Sequence, residues 1–149
     1  GWRRLEKYAV ACGGGVNHRM GLYDLFLIKD NHIAAAGGIA AAVAGCREYM
    51  RRHRFTAPIE VETKTMEELE QALALDVDRI MLDNMSLELM RRCVQRVNHR
   101  VPLEASGGVS LKTVRAIAET GVDFISIGAL TYSARVLDIS LEVIPEQNG

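Results

Sequence analysis

PIEVETKTMEELEQALALDVDRIMLDN, residues 58–84, carries the pattern on which the fold turns. It opens by alternation, with Ile59 and Val61 set against Glu60 and Glu62, the period of a strand. Thr65, followed three residues later by Glu68, makes a capping box ahead of Leu69 and Leu73 at helical spacing. An apolar run then ends in an acid at Asp83. The spacing predicts strands over 58–62 and 78–83 with a helix between them. That is a βαβ unit, which requires two parallel strands and a helix on one face.

The same rhythm extends outward on both sides. Further strands are predicted over 24–29, 102–105 and 123–127. Ile39, Val43, Cys46 and Met50 form one helical stripe, and Leu87, Met90, Val94 and Val97 another. Ser110 can cap a helix carrying Val114 and Ile117 that stops at Gly121. A helix over 2–12 precedes the series and is stopped by Gly13-Gly14-Gly15. After Leu130 the chain reads as a short helix or extended tail ending in LDISLEVIP. Five strands in steady alternation give an α/β fold, an incomplete parallel α/β barrel of about five βα units occupying residues 1–149 as one domain. Five strands are too few to close an eight-stranded cylinder, so the sheet is expected to be open.

Composition narrows the function. Of 149 residues, 48% are hydrophobic and 25% charged, as in a globular chain with a real core. Eighteen basic against nineteen acidic residues leave a net charge of −1, which gives no support for a nucleic-acid or membrane partner. No apolar run approaches a membrane span. Cys12, Cys46 and Cys93 are odd in number and widely spaced, so buried, inert thiols and a reducing cytoplasmic setting are expected. The chain opens without Met, straight into a helical pattern, and reads as a piece of a longer protein.

The C-terminal ends of the predicted strands share one chemistry: Lys29-Asp30-Asn31, Glu60 with Glu62, Asp83-Asn84, Ser106-Gly107-Gly108 and Gly128-Ala129. A parallel barrel builds its active site on that rim. Acids facing a barrel interior need a cation, a metal or a hydroxyl as partner. Glu62 and Asp83, from neighbouring strands, suit Mg²⁺ bound to a phosphorylated substrate. The Ser106 to Gly108 turn and the Gly128-Ala129 turn end consecutive late units and can offer backbone N–H groups to phosphate, the first also a helix N-terminus. His18, Arg19 and Lys29 form a cationic set facing an anionic ligand. Lys29, ending an apolar strand, is expected to be partly buried. Taken alone, Asp83 could be a helix cap and Arg19 a surface residue. Zinc is not favoured, because His18 and His32 lack metal-ligand spacing. No nucleophile elbow, P-loop or dinucleotide fingerprint occurs, so direct displacement assisted by charge is the expected chemistry.

RRLEKYAV, GGGVNHRMGLYDLFLIKDNH, IEVE, IMLDNM, LEASGGVSL and GVDFISIGALT occur in an order that resembles the quinolinate phosphoribosyltransferase family, over about Trp2 to Val143. The resemblance implies a type II phosphoribosyltransferase barrel preceded by an N-terminal sandwich domain that this chain does not contain. It implies phosphoribosyl transfer from PRPP to quinolinate with Mg²⁺, yielding nicotinate mononucleotide, pyrophosphate and CO₂ in NAD biosynthesis. His18, Arg19 and Lys29 match positions holding quinolinate. Glu62 and Asp83 match acids near ribose and Mg²⁺, and with Lys29 form the catalytic set. Ser106, Gly107, Gly108, Gly128 and Ala129 match the 5′-phosphate loops. A homodimer, or a partner chain supplying the missing portion, is also implied. Tyr132 stands where many members have His, and the basic Arg-Lys-Thr-Thr-Pro segment is missing. A non-catalytic anion-binding fragment, or transfer to another pyridine, are the alternatives.

Overall fold

A computed structural model of the chain describes residues 1–143. The end of the predicted tail, residues 144–149, lies outside the described residues. Helix α1 (Trp2–Cys12) is followed by β1 (Phe26–Ile28), α2 (Asp30–Ala36), α3 (Ile39–His53) and β2 (Ile59–Thr63). Then come α4 (Met66–Ala74), β3 (Arg79–Asp83), α5 (Leu87–Val97), β4 (Leu103–Ser106), α6 (Val114–Ala118), β5 (Phe124–Ile125) and α7 (Ala129–Tyr132). The five strands form one parallel sheet in chain order, β1-β2-β3-β4-β5. β1 and β5 are its free edges, as the open barrel required.

Each strand divides its residues between two unlike faces. Ile28, Ile59, Val61, Ile80, Leu82, Leu103 and Ala105 are buried on one face. They join a core with Val43 of α3, Leu69 of α4, Met90, Cys93 and Val97 of α5, and Ile117 of α6. At about 25 cal/mol per Å² of apolar area, this layer is the main source of stability. The alternate residues, Glu60, Glu62, Arg79, Met81, Asp83, Glu104 and Ser106, project from the other face. Register sets Glu60 beside Arg79, Met81 beside Glu104 and Asp83 beside Ser106. A sheet with one greasy and one charged face is what a barrel wall with a polar lumen needs.

Two of the βα units begin with the same device. Pro58-Ile59-Glu60 opens β2, and Pro102-Leu103-Glu104 opens β4. The strand that follows each, β3 or β5, is preceded by Val-Asp, at Asp78 and Asp123. Asp78 donates its N–H to Ile59 O at 2.9 Å and accepts the Ile59 N–H on Oδ2 at 2.7 Å. Asp123 repeats this with Leu103, at 3.0 and 2.8 Å. Each aspartate thus fixes the register of the strand it approaches against its neighbour.

Local differences from the sequence expectation have simple causes. Thr65 Oγ1 accepts the Glu68 N–H at 3.2 Å, as a cap should, but the Glu68 carboxylate takes the Lys64 N–H instead of Thr65's. Ser110 does not cap a helix. Thr113 Oγ1 takes the Ser110 N–H, a turn forms, and α6 starts only at Val114. β5 keeps two residues of the five predicted, and residues 126–128 lead from it to α7. Of the cysteines only Cys93 is buried; Cys46 is half-buried and Cys12 is exposed, since no residue of α1 is buried. No helix among the described residues is long and apolar enough to cross a membrane.

Candidate active site

Of the apolar residues in the loop over residues 13–25 only Leu25 is buried, and polar ties hold the rest. Asn17 Nδ2 donates to Lys7 O of α1 at 2.8 Å, and Lys7 Nζ reaches His18 O at 3.5 Å. Further along, Asp24 accepts the N–H groups of Met20 and Gly21 at 2.7 and 3.1 Å. Those two bonds, the Met20 one first, lower the Asp24 carboxyl below its ordinary range. The loop is thereby laid over the C-terminal ends of the strands with His18 and Arg19 facing inward.

There they meet the other expected groups. A cavity of about 560 Å³ is lined by His18, Arg19, Lys29, Glu62, Asp83, Ser106, Gly107, Gly108 and Gly128. Only Ala129 of the expected set does not line it; it begins α7 behind Gly128. Tyr132 also lines the cavity, and its ring fills the space that a side chain at Gly128 would take.

Lys29 is exposed to this cavity, where partial burial was expected. β1 stops at Ile28, and Lys29 is already the extended residue before α2. Its N–H is taken by His32 Nδ1 at 3.0 Å. Arg19 Nη1 reaches only a backbone oxygen, that of Leu25, at 3.4 Å. Among the described residues neither Arg19 nor Lys29 forms an ion pair, so both cations face the cavity uncommitted.

Opposite them, Glu62 and Asp83 share the cavity wall. Burial, and next the charge of Asp83, raise the Glu62 carboxyl above its ordinary value, while Lys29 pulls it down. Two carboxylates in that state suit a divalent cation, whose hard oxygen preference they meet. Asp83 is not a helix cap, since Ser86 caps α5. The Asn84 side chain donates to Asp83 Oδ1 at 2.8 Å. That amide also lies against Gly107, in the space a Cβ would need, and Gly107 and Gly108 both adopt positive φ, +97° and +60°. The phosphate-like turn is therefore backbone-lined. A helix N-terminus does not contribute to it, because α6 starts beyond a further turn.

Beneath the cavity lies a cluster the sequence did not assign. His18 Nε2 stands 3.0 Å from Glu60 Oε2 and 3.6 Å from Glu104 Oε1. Glu60 and Glu104 are 0% and 1% exposed. Arg79 Nη1 donates to Glu104 Oε2 at 2.8 Å, with its guanidinium 4.3 Å from the Phe124 ring centre. Ser126 Oγ bonds Glu104 Oε1. The signal available in the sequence was the repeated Pro-apolar-Glu opening of β2 and β4.

Comparison with known proteins places these observations. A family profile described as quinolinate phosphoribosyl transferase, C-terminal domain, matches residues 1–142. The chain is 46% identical over 161 aligned residues to the chloroplastic nicotinate-nucleotide pyrophosphorylase [carboxylating] of Arabidopsis thaliana, covering 98% of this chain and 46% of that one. It is 46% identical to the probable nicotinate-nucleotide pyrophosphorylase [carboxylating] of Bacillus subtilis, covering 96% and 48%. The solved nicotinate-nucleotide pyrophosphorylase of Francisella tularensis superposes with a TM-score of 0.82 at 48% identity, covering 87% of this chain and 45% of that one. Thiamine phosphate pyrophosphorylase from Pyrococcus furiosus, at 18% identity and a TM-score of 0.53, shares the fold alone. The chain spans about half the length of the curated relatives it matches.

Proposed function

This chain belongs to the quinolinate phosphoribosyl transferase family, and from that premise we propose that it binds quinolinate and PRPP and transfers phosphoribose between them with loss of CO₂. The observation that carries the reading is a single cavity in which two uncommitted cations face two carboxylates across a glycine turn.

The parts divide the work by charge. Arg19 can grip one carboxylate of quinolinate with two parallel N–H bonds, and Lys29 serves the other as a point charge. The backbone of Ser106, Gly107 and Gly108, with Gly128, receives the 5′-phosphate. The ring nitrogen then attacks the ribose C1 as the C1–pyrophosphate bond breaks. Positive charge developing on the ribose is stabilised by Glu62 and Asp83. The carboxylate next to the ring nitrogen leaves as CO₂, its electron pair stays on the ring carbon beside the cationic nitrogen, and a proton replaces it. Products are nicotinate mononucleotide, pyrophosphate and CO₂. Glu62 and Asp83 would hold Mg²⁺, which when bound supplies neutralising charge for the departing pyrophosphate.

The relatives' greater length supports a further portion in the working protein, for which an N-terminal sandwich domain and a homodimer belong to the same proposal. The free cysteines support a reducing, cytoplasmic setting, although several relatives are named chloroplastic or mitochondrial.

The test is titration calorimetry of the full-length protein with each ligand, alongside release of CO₂ dependent on both. Arg19→Lys should cost about 1.5–3 kcal/mol of quinolinate binding, the scale of a charged hydrogen bond, and leave PRPP nearly untouched. Lys29→Met should likewise weaken quinolinate alone. Gly108→Val should do the reverse and weaken PRPP. Unchanged quinolinate affinity in both cation variants rejects the reading.

A further inference from the structure

We propose that Glu60 and Glu104 are positioning residues, a buried seat that fixes His18 so that the free edge of its ring serves the dicarboxylate in the cavity above. The inference rests on the quinolinate reading for its ligand, and on geometry for the seat itself.

Glu60 and Glu104 occupy the same place in the two repeated strand openings, one strand on either side of β3. Both project from the lumen face, and the one imidazole among the described residues that reaches them comes from the loop above. With Glu60 accepting at 3.0 Å, Nε2 bears a hydrogen, and the ring is held by a bond to a rigid strand. His18 lines the cavity, so Nδ1 is the ring atom left to address a ligand, and it donates to a carboxylate when the ring carries a hydrogen on both nitrogens.

The two acids differ in a way that points to this role. Glu104 is fully engaged, by Arg79 from β3 and by Ser126 beside β5. Glu60 is not. Its Oε1 is buried without a hydrogen-bond partner among the described residues, and His18 is its only side-chain partner there. An orphaned carboxylate oxygen is costly, and an apolar residue of similar volume would pack this position at lower cost. Stability therefore does not account for Glu60; the histidine does. The charged groups facing His18 are Glu60, Glu104 and Arg79 behind Glu104 on the sheet, with Lys7 of α1 on its backbone oxygen.

The experiment uses Glu60→Leu, Glu60→Gln and His18→Ala in the full-length protein, singly and combined. In Glu60→Leu the thermal midpoint should hold or rise, while the KM for quinolinate rises about tenfold or more and that for PRPP stays put. Glu60→Gln, which keeps an acceptor oxygen, should recover much of the loss. Nitrogen-15 spectra of the His18 ring should show a hydrogen-bonded Nε2–H in the parent, joined by a protonated Nδ1 when quinolinate binds, and loss of that Nε2–H bond in Glu60→Leu. In the His18→Ala background, Glu60→Leu should add no further loss. Equal loss of both ligands with a lowered midpoint, or full additivity with His18→Ala, overturns the seat. If the parent binds no quinolinate, the reading of the site fails instead, and the His18 spectrum alone decides the seat.

Discussion

Single residues here show how the site is tensioned. Glu62 is raised above its ordinary value of 4.5, chiefly by burial and then by Asp83. The folded chain therefore binds that proton more tightly than the unfolded chain. Glu62 weighs against the fold once pH rises past the ordinary value, and this cost is absent in acid, where both states are protonated. Glu62→Gln should accordingly raise the thermal midpoint at neutral pH, with the gain vanishing below about pH 4 in calorimetric scans. The same variant should lose activity. Gly107 makes a second, independent demand. At φ +97°, with the Asn84 amide where a Cβ would sit, Gly107→Ala should cost on the order of 1–3 kcal/mol in urea titration. Gly108→Ala, with open space and φ +60°, should cost only about 1 kcal/mol. At this scale the sequence let the convergence of Arg19, Glu62, Asp83 and the glycines on one cavity be read, for all but Arg19 from their places at the ends of strands. It was silent on Glu104, because a glutamate in a strand does not announce which loop will descend upon it. It misplaced Lys29, because one residue decides whether a strand end points into the core or over its lip.

At the scale of elements, period and turn chemistry made all five strands and the main helices legible. Alternation located β2, helical stripes located α3 and α5, and the Thr65 cap located α4. The ends were less so: β5 stops at Ile125, two residues short of the reading, a boundary that periodicity does not record. The aspartates before β3 and β5 also escaped the pattern reading, although they repeat. Asp78→Ala should leave the buried Ile59 N–H without its partner and cost about 1–3 kcal/mol in chemical denaturation. Asp78→Asn keeps an acceptor and should cost much less. Asp123→Ala should behave like Asp78→Ala, because its two bonds to Leu103 have the same form. A marked difference between the two alanine variants would show that the repeat is one of sequence only.

Across the whole molecule, an open sheet and an uncovered helix dominate. α1 exposes Trp2, Leu5 and Tyr8 at 79%, 59% and 69%, and the stretch after α7 exposes Val136, Leu137, Ile139 and Leu141. β1 and β5 carry unpaired backbone along their outer edges. The 149-residue chain by itself should therefore self-associate with rising concentration in sedimentation velocity. A single monomeric species at every concentration would contradict that. The openness was legible, since five strands cannot close the cylinder, but which surfaces it leaves bare was not. The strand order has one more consequence, in time rather than in space. Every strand lies next to the one synthesised just before it, so no pairing waits for a distant segment. A nascent chain leaving the ribosome can lay each strand on a finished edge in turn, with the growing edge always the newest. Chains stalled after β4 should then already protect the β2 and β3 amides from exchange, whereas unprotected amides until β5 emerges would show that the sheet assembles all at once.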